Sequence, residues 1–180
     1  MAPPGALQEQ HVEGEAGARA NEPLFDLIEL MFFAYRDFVG DADHLLENFG
    51  LGRAHHRVLH FVNRRPGLTI AELLDILKIT KQSLNRVLKE LLDEDYVESH
   101  PGVKDRRQRQ LFPTARGKAL ALDVARLQSK RFGRVFAQLP EGAHSDAIDF
   151  LLAMVDASER DKVAALIASG RAAAVTGLRR

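Results

Sequence analysis

The chain has 180 residues, its 25 basic and 25 acidic side chains give a formal net charge of zero, and 46% of its residues are hydrophobic. This composition is typical of a soluble globular protein of one compact unit, and the absence of cysteine excludes disulfides, thiolate metal sites and cysteine nucleophiles. The sequence lacks a secretory signal and any uncharged apolar run of about 18 residues, so we expect a cytoplasmic protein without a membrane segment.

The charges are segregated along the chain. Residues 53–118 contain 14 Lys and Arg against 8 Asp and Glu, whereas residues 24–52 contain 1 basic side chain against 6 acidic ones. Segregation of this kind indicates that the middle of the chain binds a polyanion, while the flanks do another job.

The N-terminal residues fall into two segments of different composition. Residues 1–22 hold Pro, Gly and Ala with few large apolar groups, which predicts a mobile arm. From Leu24 to about Val39 the apolar residues line one broad helical stripe, which predicts a helix buried either between subunits or in an ordinary core. Gly40 to Gly52 is predicted to be a break with some helical content.

Two helices follow the break. Residues 53–64 are predicted to form a helix that ends at Pro66-Gly67. Thr69 then has the position of an N-cap, and Glu72, three residues later, completes a capping-box pattern for a short helix. The predicted inward residues of the two helices are Val58, Leu59, Val62, Leu73, Leu74 and Leu77, and the predicted outward ones are Arg57, Arg64 and Arg65.

After a tight turn at Lys78-Ile79, a third helix is predicted from Thr80 to Leu92, with Thr80 as its cap. Apolar residues recur in it at three- and four-residue steps. Its other face holds donors and amphoteric groups, without a carboxylate before Glu90: Lys81, Gln82, Ser83, Asn85, Arg86 and Lys89. An ordinary amphipathic helix accounts for this pattern, but such a face also suits the phosphates and base edges of a DNA major groove.

A β-hairpin is predicted next. Asp95 is expected to end the helix in a left-handed conformation, after which residues 96–99 and 109–113 have the alternation of two short strands. The loop between them, from 100 to 108, is rich in turn residues and arginine. Pro113 predicts that the second strand stops there or lies at a sheet edge.

The remaining residues are predicted to be helical. Thr114 caps a long helix that runs to about Gln138, with Leu120, Val124, Leu127, Phe132, Val135 and Phe136 on its apolar side. Residues 145–157 form another helix, and residues 160–169 either continue it or form a separate one. Residues 170–180 are expected to fray.

The order of these elements resembles the MarR family of bacterial winged-helix repressors, from about Leu24 to Asp156. The segments most specific for the resemblance are 66–74, 79–84, 105–107 and 114–117. Two departures are Asp95, where the family usually has Gly, and Phe112-Pro113, which replaces a more β-branched strand end.

The resemblance implies a mainly α fold with a small β-hairpin wing. Within one unit at 23–180, a winged helix-turn-helix DNA-binding module at 53–118 would be flanked by N- and C-terminal dimerisation helices at 24–52 and 119–175. It further implies a transcriptional regulator without a cofactor, namely a homodimeric repressor that binds a pseudo-palindromic operator in double-stranded DNA. The module alone makes few contacts, which agrees with a two-fold dimer.

The resemblance and the donor face together give the candidate DNA-contacting residues. In the family the Asp of the wing orients a nearby basic side chain and the second Arg enters the minor groove, and these positions match Asp105 and Arg107. The full set is Thr80, Lys81, Gln82, Ser83, Asn85, Arg86, Lys89, Lys104, Asp105, Arg106, Arg107 and Arg109.

The resemblance also implies release by a small, aromatic or phenolic effector that binds between the dimer region and the DNA module. The candidate lining residues are Phe32, Phe33, Tyr35, Arg36, His55 and His56. The alternative is that these are ordinary core and solvated residues.

Other chemistries find little support. His56 and His60 stand four residues apart on one helix, but no carboxylate lies in the same turns, so we expect no metal site. No phosphate-binding glycine loop and no nucleophile elbow occurs, so we expect no enzyme. The alternative from another class is a winged-helix protein-interaction module without a DNA target, which the lack of aromatic anchors on residues 81–89 disfavours.

Overall fold

The structure is a computed structural model that describes residues 22–102 and 105–177, with side chains as far as residue 170. The predicted arm lies outside the described residues apart from Glu22, as do Lys104 and residues 178–180. None of the described helices combines the length and the apolar character that crossing a bilayer requires.

The chain divides into two compact units, residues 1–37 and residues 38–180. The described part of the first unit is the beginning of helix α1, which runs from Phe25 to Glu47. Its large apolar side chains are exposed, Phe32 to 69% and Phe25 to 64%. For this half of the helix the ordinary-core interpretation is therefore wrong, because no described residue covers its apolar side chains.

Helix α1 continues through Gly40, where the sequence predicted a break. The residues on either side of it that face the core are Val39 before it and Ala42 and Leu46 after it, all buried and spaced three and four residues apart. A glycine inside a helix costs about 1 kcal/mol relative to alanine. Burial of one leucine contributes about 1.5–3 kcal/mol, which is enough to carry the helix past this position.

The second unit begins with the end of α1 and continues with nine further elements. They are α2 Arg53–Arg64, β1 Leu68–Thr69, α3 Ile70–Leu77, α4 Lys81–Asp93, β2 Val97–Pro101, β3 Arg109–Pro113, α5 Ala115–Phe136, α6 Ala143–Ala153 and α7 Ala157–Gly177. The helix-turn-helix, the hairpin and the long helix after it are therefore confirmed.

One hydrophobic core joins α1, the helix-turn-helix, the sheet and the start of α5. The predicted inward residues Val58, Leu59, Val62, Leu73 and Leu77 are buried, and Leu74 packs partly buried against them. Along α5 the prediction holds only for the first half, since Leu120 and Val124 are buried whereas Phe132 and Val135 are exposed. Of the arginines expected to point outward, Arg64 and Arg65 are half-buried.

The sheet has three antiparallel strands in the order β1-β3-β2. Buried Leu111 of the central strand lies opposite Leu68 on one side and Ser99 on the other. Strand β1 was not predicted, because two residues are too few to display the alternation that identifies a strand. It exists only because β3, about forty residues later, supplies its hydrogen-bonding partner.

Helices α6 and α7 are separate, which settles the alternative that the sequence left open. Arg160 closes the turn between them, since its Nη2 donates to the carbonyl oxygens of Ala153 at 2.9 Å and Val155 at 3.1 Å. The backbone of α7 remains helical to Gly177, so the fraying expected from residue 170 is wrong as far as that residue.

Candidate nucleic-acid interface

Helix α4 has the cap and the apolar face that the sequence predicted. Thr80 is its N-cap, and the Thr80 hydroxyl oxygen accepts from the backbone N–H of Ser83 at 3.2 Å. The same hydroxyl donates to the hydroxyl oxygen of Ser83 at 2.9 Å. The buried residues Leu84, Val87, Leu88 and Leu91 hold the helix on the core, and this packing leaves the donor face in solvent.

The donor face of α4 is largely uncommitted. Lys81, Gln82, Asn85 and Arg86 are exposed, and within 22–102 and 105–170 they have no hydrogen-bond or ion-pair partner. Lys89 differs, because it pairs with Asp93 one turn later, a contact that raises the pKa of Lys89. The first two turns of α4 therefore present amide, ammonium and guanidinium groups that an external polyanion can use.

His55 ties the far end of α4 to α2. Its Nδ1 accepts from the backbone N–H of Gly52 at 3.1 Å, so Nε2 carries the proton and donates to Glu90, 2.7 Å away. Both ring nitrogens are thus used inside the protein. Sequence reasoning assigned His55 to an effector site and missed this role, because the partner on α4 is 35 residues away in the chain.

At the tip of the wing, hydrogen bonds across the turn leave two arginine side chains exposed. The carboxylate of Asp105 accepts from the backbone N–H of Arg107 at 2.9 Å, and Gly102 N–H donates to the carbonyl of Gln108 at 2.7 Å. A Cβ at Gly102 would lie only 2.7 Å from the Asp105 carbonyl oxygen, so the turn needs glycine there. Arg106 and Arg107 are exposed, and the described residues offer their guanidinium groups no partner.

Arg109, by contrast, is part of the wing's own framework. Its Nε donates to the Ser99 hydroxyl oxygen at 3.0 Å and its Nη2 to the Ser99 carbonyl at 2.6 Å, across the hairpin. The guanidinium therefore braces β2 against β3, and its remaining N–H groups are all that it can offer to a ligand.

The junction between the wing and α5 explains the Thr-x-x-Gly pattern at residues 114–117. The Thr114 hydroxyl accepts from Gly117 N–H at 3.0 Å and donates to the Asp95 carbonyl at 2.7 Å. Asp95 has φ of +58°, the left-handed conformation that the sequence predicted. The backbone of Gly117 packs so closely on Tyr96 that a Cβ would lie 2.8 Å from the Tyr96 carbonyl carbon.

Arg116 completes this junction and was not predicted. Its Nη1 donates to the Glu94 carbonyl at 2.7 Å, its Nη2 to the Tyr96 hydroxyl at 2.8 Å, and its guanidinium carbon lies 4.2 Å from the Tyr96 ring centre. Arg116 thus fixes the end of α4 to the start of the wing. The one sequence feature that could have indicated this role is the position of Arg116 inside the Thr-Ala-Arg-Gly segment.

The residues considered for an effector fall in both compact units. Phe32, Phe33, Tyr35 and Arg36 are in the first, all exposed, with Arg36 lying 5.0 Å from the ring centre of Phe33 and hydrogen-bonded to Asp37 at 2.8 Å. His55 and His56 are in the second.

Burial lowers the pKa of His56, and it lowers the pKa of the neighbouring His60 to about 4. At neutral pH both imidazoles are therefore uncharged. Among the described residues no three His, Asp or Glu side chains are grouped as metal ligands would be.

A family model described as the MarR family matches residues 49–108. This range contains α2, the helix-turn-helix and most of the wing. The HTH-type transcriptional regulator PetP of Rhodobacter capsulatus is 43% identical to the chain over 140 residues, which cover 78% of this chain and 84% of that protein.

Two solved structures have the same fold. A Mycobacterium tuberculosis MarR family protein in complex with p-aminosalicylic acid has a TM-score of 0.53 at 25% identity, over 75% of this chain and all of its own. The S. aureus MepR–DNA complex has a TM-score of 0.59 at 18% identity, over 74% of this chain and 98% of its own.

Proposed function

The chain belongs to the MarR family of transcriptional regulators, and we propose that it works as a homodimer that binds a pseudo-palindromic operator in double-stranded DNA and represses transcription there. The proposal rests on one observation above all. The first turns of α4 and the tip of the wing expose hydrogen-bond donors that have no partner in the described protein.

The exposed groups divide by chemistry into three roles. Lys81 and Arg86 would neutralise phosphates, and each such contact adds about 0.9 to the slope of log affinity against log salt. Gln82, Ser83 and Asn85 carry the amide and hydroxyl groups that read base edges in the major groove. Arg107 at the wing tip would enter a minor groove, preferring the narrow A·T-rich form, where the potential is most negative.

Dimerisation is supported by large apolar side chains that the described residues leave exposed. Leu24 just before α1 is exposed, as are Phe25, Phe32 and Phe33 of α1, and so is Met154 after α6 at 62%. Large apolar side chains exposed in this number mark an interaction surface. In a two-fold dimer the two α4 helices would lie about 34–36 Å apart and enter successive major-groove faces.

We propose that a small aromatic effector regulates the dimer. The MarR family protein of M. tuberculosis binds p-aminosalicylic acid, and the aromatic side chains Phe32, Phe33 and Tyr35 of this chain are exposed, with Arg36 beside Phe33. An effector that prefers the non-binding state lowers DNA affinity only by its differential affinity for the two states. His55 would contribute least, since both of its nitrogens are engaged.

The test is a fluorescence-anisotropy titration of the full chain with random-sequence and selected duplexes at two salt concentrations. Replacing Lys81 and Arg86 together by Ala should lower the salt slope by about 2. Replacing Arg126 and Lys130 of α5, two exposed cations outside α4 and the wing, is the control and should leave the slope unchanged, and of the two Arg126 also pairs with Asp123. If the chain binds no duplex at low salt, the proposal is overturned. The alternative, a winged-helix protein-interaction module without a DNA target, would then be favoured.

A further inference from the structure

Helix α7 docks on the DNA-binding module through one polar face. Glu159, Lys162, Leu166 and Gly170 stand at steps of three, four and four residues, which places them on the same side of the helix. Each of them lies against α2, α3 or the turns that follow these helices. This face is the only feature of the C-terminal helices in the described residues that carries ion pairs to the helix-turn-helix.

Four of the charges form a closed ring. Lys78 Nζ lies 2.9 Å from an Asp75 carboxylate oxygen and 3.3 Å from one of Glu159. Lys162 Nζ lies 3.6 Å from Glu159 and forms a second, short ion pair with Asp75. Each cation therefore contacts both anions, and two of the four pairs cross from α3 and its turn to α7. Lys162 first and Lys78 second lower the pKa of Asp75 to about 2.

The ring lies at the point that orients the DNA-reading helix. Asp75 is in the last turn of α3, and Lys78 is the left-handed residue of the turn, with φ of +49°. Thr80, two residues later, caps α4. A displacement of the turn against α7 would therefore change the direction in which α4 leaves it.

Two further contacts hold the same face of α7. Arg65, just after α2, donates through Nη2 to the carbonyl of Leu166. Gly170 is buried, and a Cβ there would lie 2.8 Å from Nη2 of Arg64. The ring is thus one end of a docked surface, since the arginines contact α7 about one and two turns beyond Lys162.

An adjacent, apolar side of α7 belongs to the helical hairpin with α6. Val163 and Ile167 line a cavity of about 560 Å³ between the two helices, together with Leu151 and Leu152 of α6. Helix α7 therefore carries one face for the C-terminal hairpin and another for the helix-turn-helix, so that a rotation of the hairpin would be passed to the turn through the ring.

We propose that Asp75, Lys78, Glu159 and Lys162 form a positioning latch that fixes the turn of the helix-turn-helix to α7 and so sets the angle of α4. The inference rests on the proposed DNA-binding function and deepens it. The latch residues act through α4 and need no contact with DNA. They determine how well the two α4 helices of a dimer fit one operator at the same time. The electrostatic attraction between one DNA-binding module and DNA does not depend on them.

The first experiment compares Lys162→Glu with Lys130→Glu, an equal charge change on an exposed lysine of α5 outside the ring. Both variants and the wild type are titrated with a selected operator and with random duplex, and their dimeric state is measured by light scattering. Exposed ion pairs couple weakly one by one, but Lys162→Glu both removes the crossing pair with Asp75 and places a like charge beside Asp75 and Glu159, so it should lose about tenfold on the operator. On random duplex it should match the control.

The second variant exchanges the charges, Asp75→Lys with Lys162→Asp. It keeps the net charge, restores attraction between positions 75 and 162 and retains the Lys78–Glu159 pair, so both pairs that cross to α7 are attractive, while the pair within each side becomes like-charged. It should recover most of the operator affinity. The chain has no cysteine, so Glu94→Cys at the end of α4 gives one spin-label site per protomer. The label-to-label distance distribution in the free dimer should broaden in Lys162→Glu and sharpen again in the exchanged protein.

The outcomes separate the latch from the function on which it rests. If the wild type binds no duplex, both proposals are overturned. If the wild type binds and Lys162→Glu loses no more operator affinity than Lys130→Glu, the latch alone is overturned. An unchanged distance distribution in Lys162→Glu, or a charge-exchanged protein as weak as the single variant, also overturns it.

Discussion

Replacing Gly117 by Ala perturbs the junction of α4, the wing and α5 by a single methyl group. Gly117 is buried in the first turn of α5, where its N–H donates to the capping hydroxyl of Thr114. A Cβ there would lie 2.8 Å from the carbonyl carbon of Tyr96, 3.2 Å from its Cα and closer still to its oxygen. Ordinary carbon–carbon contacts are about 3.5–4.0 Å, so the two backbones would have to separate by roughly 1 Å.

The cost follows from what resists that movement. Overpacking by a methyl group typically costs about 1–3 kcal/mol. The obstacle here is backbone, held by the hydrogen bond from Thr114 N–H to the Tyr96 carbonyl at 3.2 Å, so the upper part of that range applies. Alanine returns up to about 1 kcal/mol of helix propensity. We expect a net destabilisation of about 2 kcal/mol.

Gly133→Ala is the matched control, because it places the same methyl group in the same helix with no heavy atom within 4 Å. Relief of the glycine penalty should stabilise that variant by about 0.8–1 kcal/mol. Urea unfolding followed by far-UV circular dichroism measures both, at one fixed protein concentration because dimerisation shifts the midpoint. If Gly117→Ala unfolds at the wild-type urea concentration or above, the argument from the close approach to Tyr96 is wrong.

Three further predictions concern acid stability, DNA affinity and a helix cap. Burial lowers the pKa of His60 from 6.5 to about 4, so the unfolded chain binds the extra proton and stability should fall by up to about 3 kcal/mol as pH drops from 6.5 to 4. His60→Gln should flatten this fall in urea unfolding at several pH values, and an equally steep fall would refute the assignment. Arg107→Ala should weaken operator binding by about 1–3 kcal/mol in anisotropy titrations without changing the urea midpoint, whereas Arg126→Ala should change neither. Thr69→Ala removes the capping box that holds Glu72 and should cost about 1 kcal/mol of unfolding free energy; an unchanged urea midpoint would contradict that role.

The sequence predicted correctly those features that depend on residues only a few positions apart. Thr69, Thr80 and Thr114 cap the three helices as predicted, because a hydroxyl at an N-cap satisfies backbone donors a few residues away. Asp95 takes the left-handed conformation for a similarly local reason. These positions supplied the boundaries of the helix-turn-helix and of the wing, from which the family resemblance followed.

Features that depend on distant partners were missed or misplaced. Strand β1 needs β3 to exist, and α1 passes Gly40 because Leu46 has a core to enter. The roles of His55 and Arg109 depend on Glu90 and Ser99, which lie 35 and 10 residues away. The sequence pattern of a surface helix does not show whether a donor side chain is hydrogen-bonded within the folded protein or remains available to a ligand.

The folded protein divides its cationic and donor side chains into two functional groups. Arg109 and Arg116 brace the wing and its junction, and Lys162 completes the ring, so removal of any of them disturbs geometry as well as charge. A second set has no partner in the described residues, and its members are Lys81, Gln82, Asn85, Arg86, Arg106 and Arg107. Substitutions in that second set should lower DNA affinity at constant stability, because no internal contact is lost. Since the first set positions the second, an affinity lost through Arg116 should be accompanied by a lower unfolding free energy, and one lost through Arg86 should not.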